Sequence, residues 1–317
     1  MSFFANFKMT LNLFSLIPDH VFLNITRYLR ADEVMNLKTV VDKTWIQYAF
    51  DNMRHFEMLV EKEDHDFEYY RNQLLRCGSD LRTFKFIKPY DKESLPYVMM
   101  KYIDGDISHR IADDKDEQEF AVKLAKQCPN IISFGQNMWD YERLHFVCNY
   151  ILALEQSPKL TELSVGDGIE SIKYAIKINE IANLCPNIVS MKILYGSTCS
   201  LGVHFTHFDR IKQLRLYNDL GPFAMISPTT YIRKCLNLAK LEFNFIFLGD
   251  LLDRCSNYYI QRDVEWLVHT LHDLSKLSEI LISVKNDQIM DWIEAAFDAK
   301  RFKMVRRTSV YCEWQRI

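Results

Sequence analysis

Glycine is scarce in this chain, nine in 317 residues, which leaves little material for loops whose backbone N–H groups cradle phosphates. No G-x-S-x-G, H-E-x-x-H, Walker or Rossmann pattern occurs, so the common hydrolase, zinc-protease and nucleotide-enzyme signatures are missing. An excess of one charge is missing too: 39 basic side chains face 42 acidic ones, for a net charge of −3. Proteins that neutralise a phosphate backbone carry a strongly basic footprint, so a nucleic-acid partner is not expected. No apolar run approaches the roughly 18 residues that a spanning helix requires, and no membrane partner is expected. The stretch from Met1 to Leu16 is apolar but interrupted by Asn6, Lys8, Asn12 and Ser15. It lacks the unbroken apolar centre and small-residue cleavage site of a signal peptide. Eight cysteines stand singly with no C-x-x-C pair, which reads as reduced thiols rather than a disulfide framework. The expectation is an intracellular protein, cytoplasmic, nuclear or both.

What is present is an ordered chain. At 48% hydrophobic and 26% charged residues it can bury a sizeable core, and its length suits two domains or a small one joined to an elongated one. Three short amphipathic helices can be read between Ser15 and Phe50. Pro18 suits a first helical turn, where its missing N–H would have no partner anyway. Val21, Ile25 and Leu29, with Phe22 beside them, form one apolar stripe at helical spacing. Asp32 is placed to cap a second helix burying Val34, Leu37 and Val40 or Val41, and Asp42 a third carrying Trp45, Ile46 and Ala49. None of the three is long enough to stand alone in water.

The run Ile17-Pro18-Asp19-His20-Val21-Phe22-Leu23-Asn24-Ile25-Thr26-Arg27-Tyr28-Leu29, followed by Val34, Leu37, Val40-Val41 and Lys43-Thr44-Trp45, resembles an F-box. That pattern reads Leu-Pro-x-Glu-x-Leu-x-x-Ile-x-x-Tyr-Leu, then spaced aliphatics, then Val-Cys-Lys-x-Trp. Ile17, His20 and Asp42 stand where the pattern has Leu, Glu and Cys. The resemblance implies a docking module that packs against a Skp-type adaptor and through it reaches the cullin scaffold of an SCF ubiquitin ligase. Carried over by position, the adaptor-facing residues are Ile17, Pro18, Val21, Phe22, Ile25 and Leu29. Short helices with more apolar surface than they can bury among themselves suit such a role. The competing reading is a self-contained helical cap on the following domain.

Residues 51–76 carry Phe56, Leu59, Val60, Phe67, Tyr70 and Leu74 among many charges and read as a helical connector. A repeat follows. Cys128-Pro129-Asn130-Ile131 returns as Cys185-Pro186-Asn187-Ile188 and as Cys235-Leu236-Asn237-Leu238. Counting from the cysteine position, apolar residues recur at +3 and +6: Ile131/Phe134, Leu160/Leu163, Ile188/Met191, Ile211/Leu214, Leu238/Leu241 and Leu277/Ile280. Val165, Ile193, Leu216, Phe243 and Ile282 add an apolar +8, with Gln136 the exception. The +6 residues lie 29, 28, 23, 27 and 39 apart, the last interval suggesting an insertion around Leu248 to Tyr259. Leu81, Phe84 and Phe86 form an earlier copy, one residue out of step with Cys77, and a degenerate copy is expected near Val98 to Ile103. Helix-like stretches at Glu117–Lys126, Leu144–Gln156, Ile172–Leu184 and Asp263–Leu274 precede most of the strands.

These copies resemble leucine-rich repeats of the cysteine-containing type found in F-box proteins. The expected fold class is therefore α/β: a three-helix F-box over 13–50, the connector over 51–76, and a leucine-rich-repeat solenoid over 77–317, with parallel strands on the concave face and a last helix and strand as the cap. Period-2 alternation puts +6 and +8 in the core and +5, +7 and +9 on the concave face. The middle repeats hold the richest set there, Lys192, Leu194, Arg215, Tyr217, Lys240 and Glu242, and Arg and Tyr are frequent binding hot spots. This is the candidate site for a target protein.

Other signals read as structural. Cysteines at one repeat position form a ladder rather than a converging tetrahedral set. The pairs His204/His207 and His269/His272 have no obvious companion ligands, so no metal or other cofactor is expected. The acidic stretch Asp104 to Glu119 reads as a solvated loop and helix start, and the basic run Lys300, Arg301, Lys303, Arg306, Arg307 as a solubilised cap. The expectation is a substrate receptor without catalytic residues, with a repeat-built scaffold outside any ligase as the rival.

Overall fold

In the computed structural model the described residues are Pro18, Val21, Leu29, Val34, 43–51, 53–59, 67–87, 115–136, 141–166, 172–195, 205–218, 229, 232–245, 257–284, 286–309 and 311–317. They form two compact units, residues 1–136 with 145–159 and residues 137–144 with 160–317. No helix among the described residues is long and apolar enough to cross a membrane.

The first unit alternates helices with short strands: α1 (Lys43–Asp51), β1 (His55–Leu59), α2 (Phe67–Arg76), a 3-10 turn at Gly78–Asp80, β2 (Thr83–Ile87), α3 (Lys115–Gln127), β3 (Ser133–Gln136) and α4 (Tyr141–Leu152), which belongs to this unit from His145 on. Strands β1, β2 and β3 pair in parallel with Phe56, Phe84 and Phe134 in register. The phenylalanines pack through the core: Phe50 of α1 lies 6.1 Å from Phe56, Phe56 6.4 Å from Phe84, and Phe84 5.1 Å from Phe134 in an edge-to-face pair. Phe146 of α4 closes on Phe84 and Phe134. Such aromatic pairs contribute about 0.5–1.5 kcal/mol beyond the area they bury. At the surface Arg76 grips Asp51 with two hydrogen bonds of 2.8 and 3.0 Å, tying α2 to α1.

The second unit contains β4 (Glu162–Gly166), α5 (Ile172–Leu184), β5 (Ser190–Tyr195), a 3-10 turn at Phe208–Arg210, β6 (Gln213–Asn218), β7 (Lys240–Phe245), α6 (Asn257–Asp273), β8 (Glu279–Val284), α7 (Asp287–Ala296), β9 (Phe302–Arg307) and β10 (Tyr311–Arg316). Strands β4 to β8 are parallel neighbours in chain order. Strand β10 pairs antiparallel with β8, and β9 antiparallel with β10.

The repeat rule holds at the level of burial. The +3 and +6 residues of all six aligned copies are at most 4% exposed, and Val165, Ile193, Leu216, Phe243 and Ile282 at +8 are fully buried. Each strand starts at +5, because the carbonyl at +4 accepts both the +4 and +5 N–H groups of the next copy. Thr161, Val189, Lys212 and Ala239 do this in turn. Among the described residues the 23-residue interval before β6 holds the 3-10 turn, whereas α5 and α6 lie in the longer intervals before β5 and β8.

Several expectations need correction. Residues 51–76 are not helical throughout, because β1 lies among them. Phe56, Leu59 and Val60 imitate helical spacing, but in-register pairing with β2 prevails over that local pattern. Helix α6 starts at Asn257, inside the stretch expected to be an insertion, the rest of which lies outside the described residues. The cap is a helix with two antiparallel strands rather than a helix and one strand. The copy expected near Val98 to Ile103, and Asp104 to Asp114 of the acidic stretch, lie outside the described residues, while Asp116, Glu117 and Glu119 sit in α3.

Candidate protein-binding face

Of the six expected adaptor-facing residues, Ile17, Phe22 and Ile25 lie outside the described residues. Pro18 and Val21 are exposed and joined by a turn hydrogen bond of 2.9 Å, and Leu29 is half-buried. Val34 and, on α1, Ile46, Ala49 and Phe50 are buried. Of the three expected helices only the third, α1, is among the described elements; Trp45 lies on it, its side chain outside the described residues.

The strand-borne candidates come together. Register places Lys192, Arg215 and Glu242 side by side on β5, β6 and β7, with Leu194 and Tyr217 paired one step further along and Lys240 one step back. The side chains of Leu194 and Tyr217 lie outside the described residues. Alternation with buried Met191, Ile193, Leu214, Leu216, Leu241 and Phe243 turns Lys192, Arg215, Lys240 and Glu242 to the opposite face of the sheet.

The charges on this face engage one another. The Arg215 guanidinium lies 3.6 Å from a Glu162 carboxylate oxygen and 3.3 Å from one of Glu242, and Lys240 Nζ 2.7 Å from Glu279. Sequence reasoning put Glu162 and Glu279 on the face but not into these pairs, since cross-strand reach depends on a register that no local signal encodes. Side chains exposed to this degree gain about 0–1 kcal/mol per pair. The pairs therefore orient the basic groups more than they stabilise the fold. The face is a mixed-sign patch rather than a bare cationic one.

The repeated cysteines are buried, as their equivalent positions require: Cys77, Cys128, Cys185 and Cys235 are at most 2% exposed. Burial pushes the Cys128 and Cys235 thiols up to about 12, so both stay protonated and unreactive near neutral pH. Cys128 Sγ reaches the Leu74 carbonyl at 3.6 Å. His204 lies outside the described residues; His207 is half-buried against Phe205. His269 and His272 border a shallow groove of about 350 Å³ between α6 and α7, with Gln261, Glu265, Trp292 and Ala296. His269 faces Asp273 at 3.4 Å, while the His272 ring packs against Phe297 and Phe302. The basic run is divided among several tasks, with Arg307 held by Asp291 and Glu294 of α7 and Arg301 near Asp298.

This geometry defines a protein built of repeated strand-and-helix units, with a polar strand face. No family model matches the chain, and no curated protein sequence matches it. Among solved structures, the leucine-rich repeat-containing protein LegL7 from Legionella pneumophila is similar, at 11% identity over 91% of this chain and 95% of that one, with a TM-score of 0.44.

Proposed function

We propose that this chain is the substrate-recognition subunit of an SCF-type ubiquitin ligase, holding a Skp-type adaptor through residues 13–50 and a target protein on the strand face around Arg215. The observation that carries the reading is the ordered match from Ile17 to Trp45. Exposure of Pro18 and Val21, while Val34 and Phe50 are buried, supports it. The phenylalanine contacts from α1 into β1 to β3, with the Arg76–Asp51 clamp, suit a helical segment that must be held firmly against its repeats.

The chain supplies no catalytic group in this scheme. It raises the effective concentration of a target lysine near a charged conjugating enzyme, which converts an encounter between separate molecules into one within a single assembly. The test is a pull-down of purified Skp-type adaptor by the full chain. The wild type retains the adaptor, and the paired substitutions Pro18→Ala and Ile25→Asp remove it while circular dichroism and melting of the repeats are unchanged. No retention by the wild type leaves the repeat-built scaffold outside a ligase as the reading, and retention by the variant moves the adaptor contact to some other docking surface.

A further inference from the structure

Strand β9 ends the second unit's sheet, paired with β10 on one side and, among the described residues, with nothing on the other. Five of its six residues are not buried. Both of its faces keep apolar surface uncovered. Val305 is 45% exposed, and Met304, on the face that is buried elsewhere in the sheet, is only half-covered, although its cross-strand partner Trp314 is 2% exposed. A further strand beside β9 would cover both.

The edge is also basic, and not all of its charge is used internally. Arg307 is held by Asp291 and Glu294, Arg301 lies near Asp298, and the Arg306 guanidinium stacks over Tyr311 at 5.2 Å. Among the described residues no carboxylate pairs with the ammonium groups of Lys300 and Lys303.

We propose that the outer edge of β9 accepts an added strand from an acidic, extended segment of a partner protein. Backbone pairing supplies affinity in strand addition and the side chains supply selection. A second copy of this chain is the wrong occupant, because it would set one basic edge against another, and like charges directly opposed across strands are destabilising. The register shift between Glu313 and Trp314 leaves Val305 without a partner in β10. A bulge and basic side chains are devices that keep an edge from pairing with its own kind. They leave it open to a strand of opposite charge. This inference does not depend on the ligase reading.

The test uses the full chain and a fluorescein-labelled peptide of about ten residues, long enough for a strand, in which Glu alternates with Val. Fluorescence anisotropy should show binding that slows hydrogen exchange of the β9 amides. The double variant Lys300→Glu, Lys303→Glu should weaken it about tenfold or more, since it opposes like charges. The same peptide N-methylated at every residue should not bind, because neither of its edges can then donate to the ladder. Should the double variant not fold, Lys303→Gln alone serves, with a smaller expected loss. The proposal is overturned by absence of binding, by equal binding of the variants or of the N-methylated peptide, by protection appearing elsewhere than β9, or by sedimentation showing that two copies pair through this edge.

Discussion

Gly78 shows why one repeat copy is out of step. Cys128 and Ile131 are joined by Pro129 and Asn130, and the turn bonds in the copies at Cys185 and Cys235 run from the +3 N–H to the cysteine carbonyl. Between Cys77 and Leu81 there is one residue more, and Leu81 N–H bonds to Gly78 instead, at 3.3 Å. Gly78 absorbs the extra residue with a φ of 57°, the left-handed region that side chains disfavour. A Cβ there would meet nothing closer than 4.0 Å, so the penalty is conformational. Gly78→Ala should cost about 1–2 kcal/mol, read as a lower urea midpoint with an unchanged slope. At the other end of the chain, His272 Nε2 accepts the Asp298 N–H at 3.3 Å. Burial, then the nearby Arg301, lowers its pKa, against the opposing pull of Asp298 and Asp273; His269 adds to the lowering. The folded state thus prefers the neutral ring. Its contribution is complete above the ordinary value of 6.5 and is lost as pH falls from there through the lowered folded value. Urea midpoints measured from pH 8 to pH 5 should fall more steeply for the wild type than for His272→Phe.

At the scale of elements, stacking of copies uses the asparagine of the Cys-x-Asn turn. Asn130 Nδ2 donates to the Ser79 carbonyl at 2.9 Å, and its Oδ1 accepts from Lys159 at 2.6 Å. Asn237 repeats this with the Asp209 carbonyl and Lys276. The asparagine thus reaches back to one turn of the chain and forward to the next. Asn237→Ala should cost about 0.5–1.5 kcal/mol, and a double-mutant cycle with Lys276→Ala should show coupling, which additivity would refute. Strands β3 to β8 were legible because burial at +3, +6 and +8 leaves a periodic trace in the chain. Strand β1 was not, since its apolar spacing fits a helix equally well and only Phe84 across the ladder decides between them. The antiparallel cap was hidden for a similar reason. Beyond α7 the chain no longer repeats, and Arg301 and Arg316 instead donate to the terminal carbonyls His272, Leu274 and Leu277, a closure made between residues remote in sequence.

At the scale of the whole molecule, a receptor reading divides the labour between an amino-terminal docking segment and a strand face. Reversing Arg215 and Lys240 to glutamate should abolish capture of a target from cell extract while adaptor binding persists. Both residues sit against carboxylates, so the melting temperature must be followed in the same variant. Capture without loss would move the target site elsewhere. The sequence by itself determined which repeat positions are buried, where strands β3 to β8 start and which of their residues share a face, because these follow from short-range periodicity repeated copy after copy. Only the tertiary structure decided that Arg215 lies between Glu162 and Glu242, that residues 55–59 join a sheet, and that β9 is left at an edge. Those outcomes depend on which segments become neighbours, and the free energy of pairing distant segments leaves no local mark on the chain.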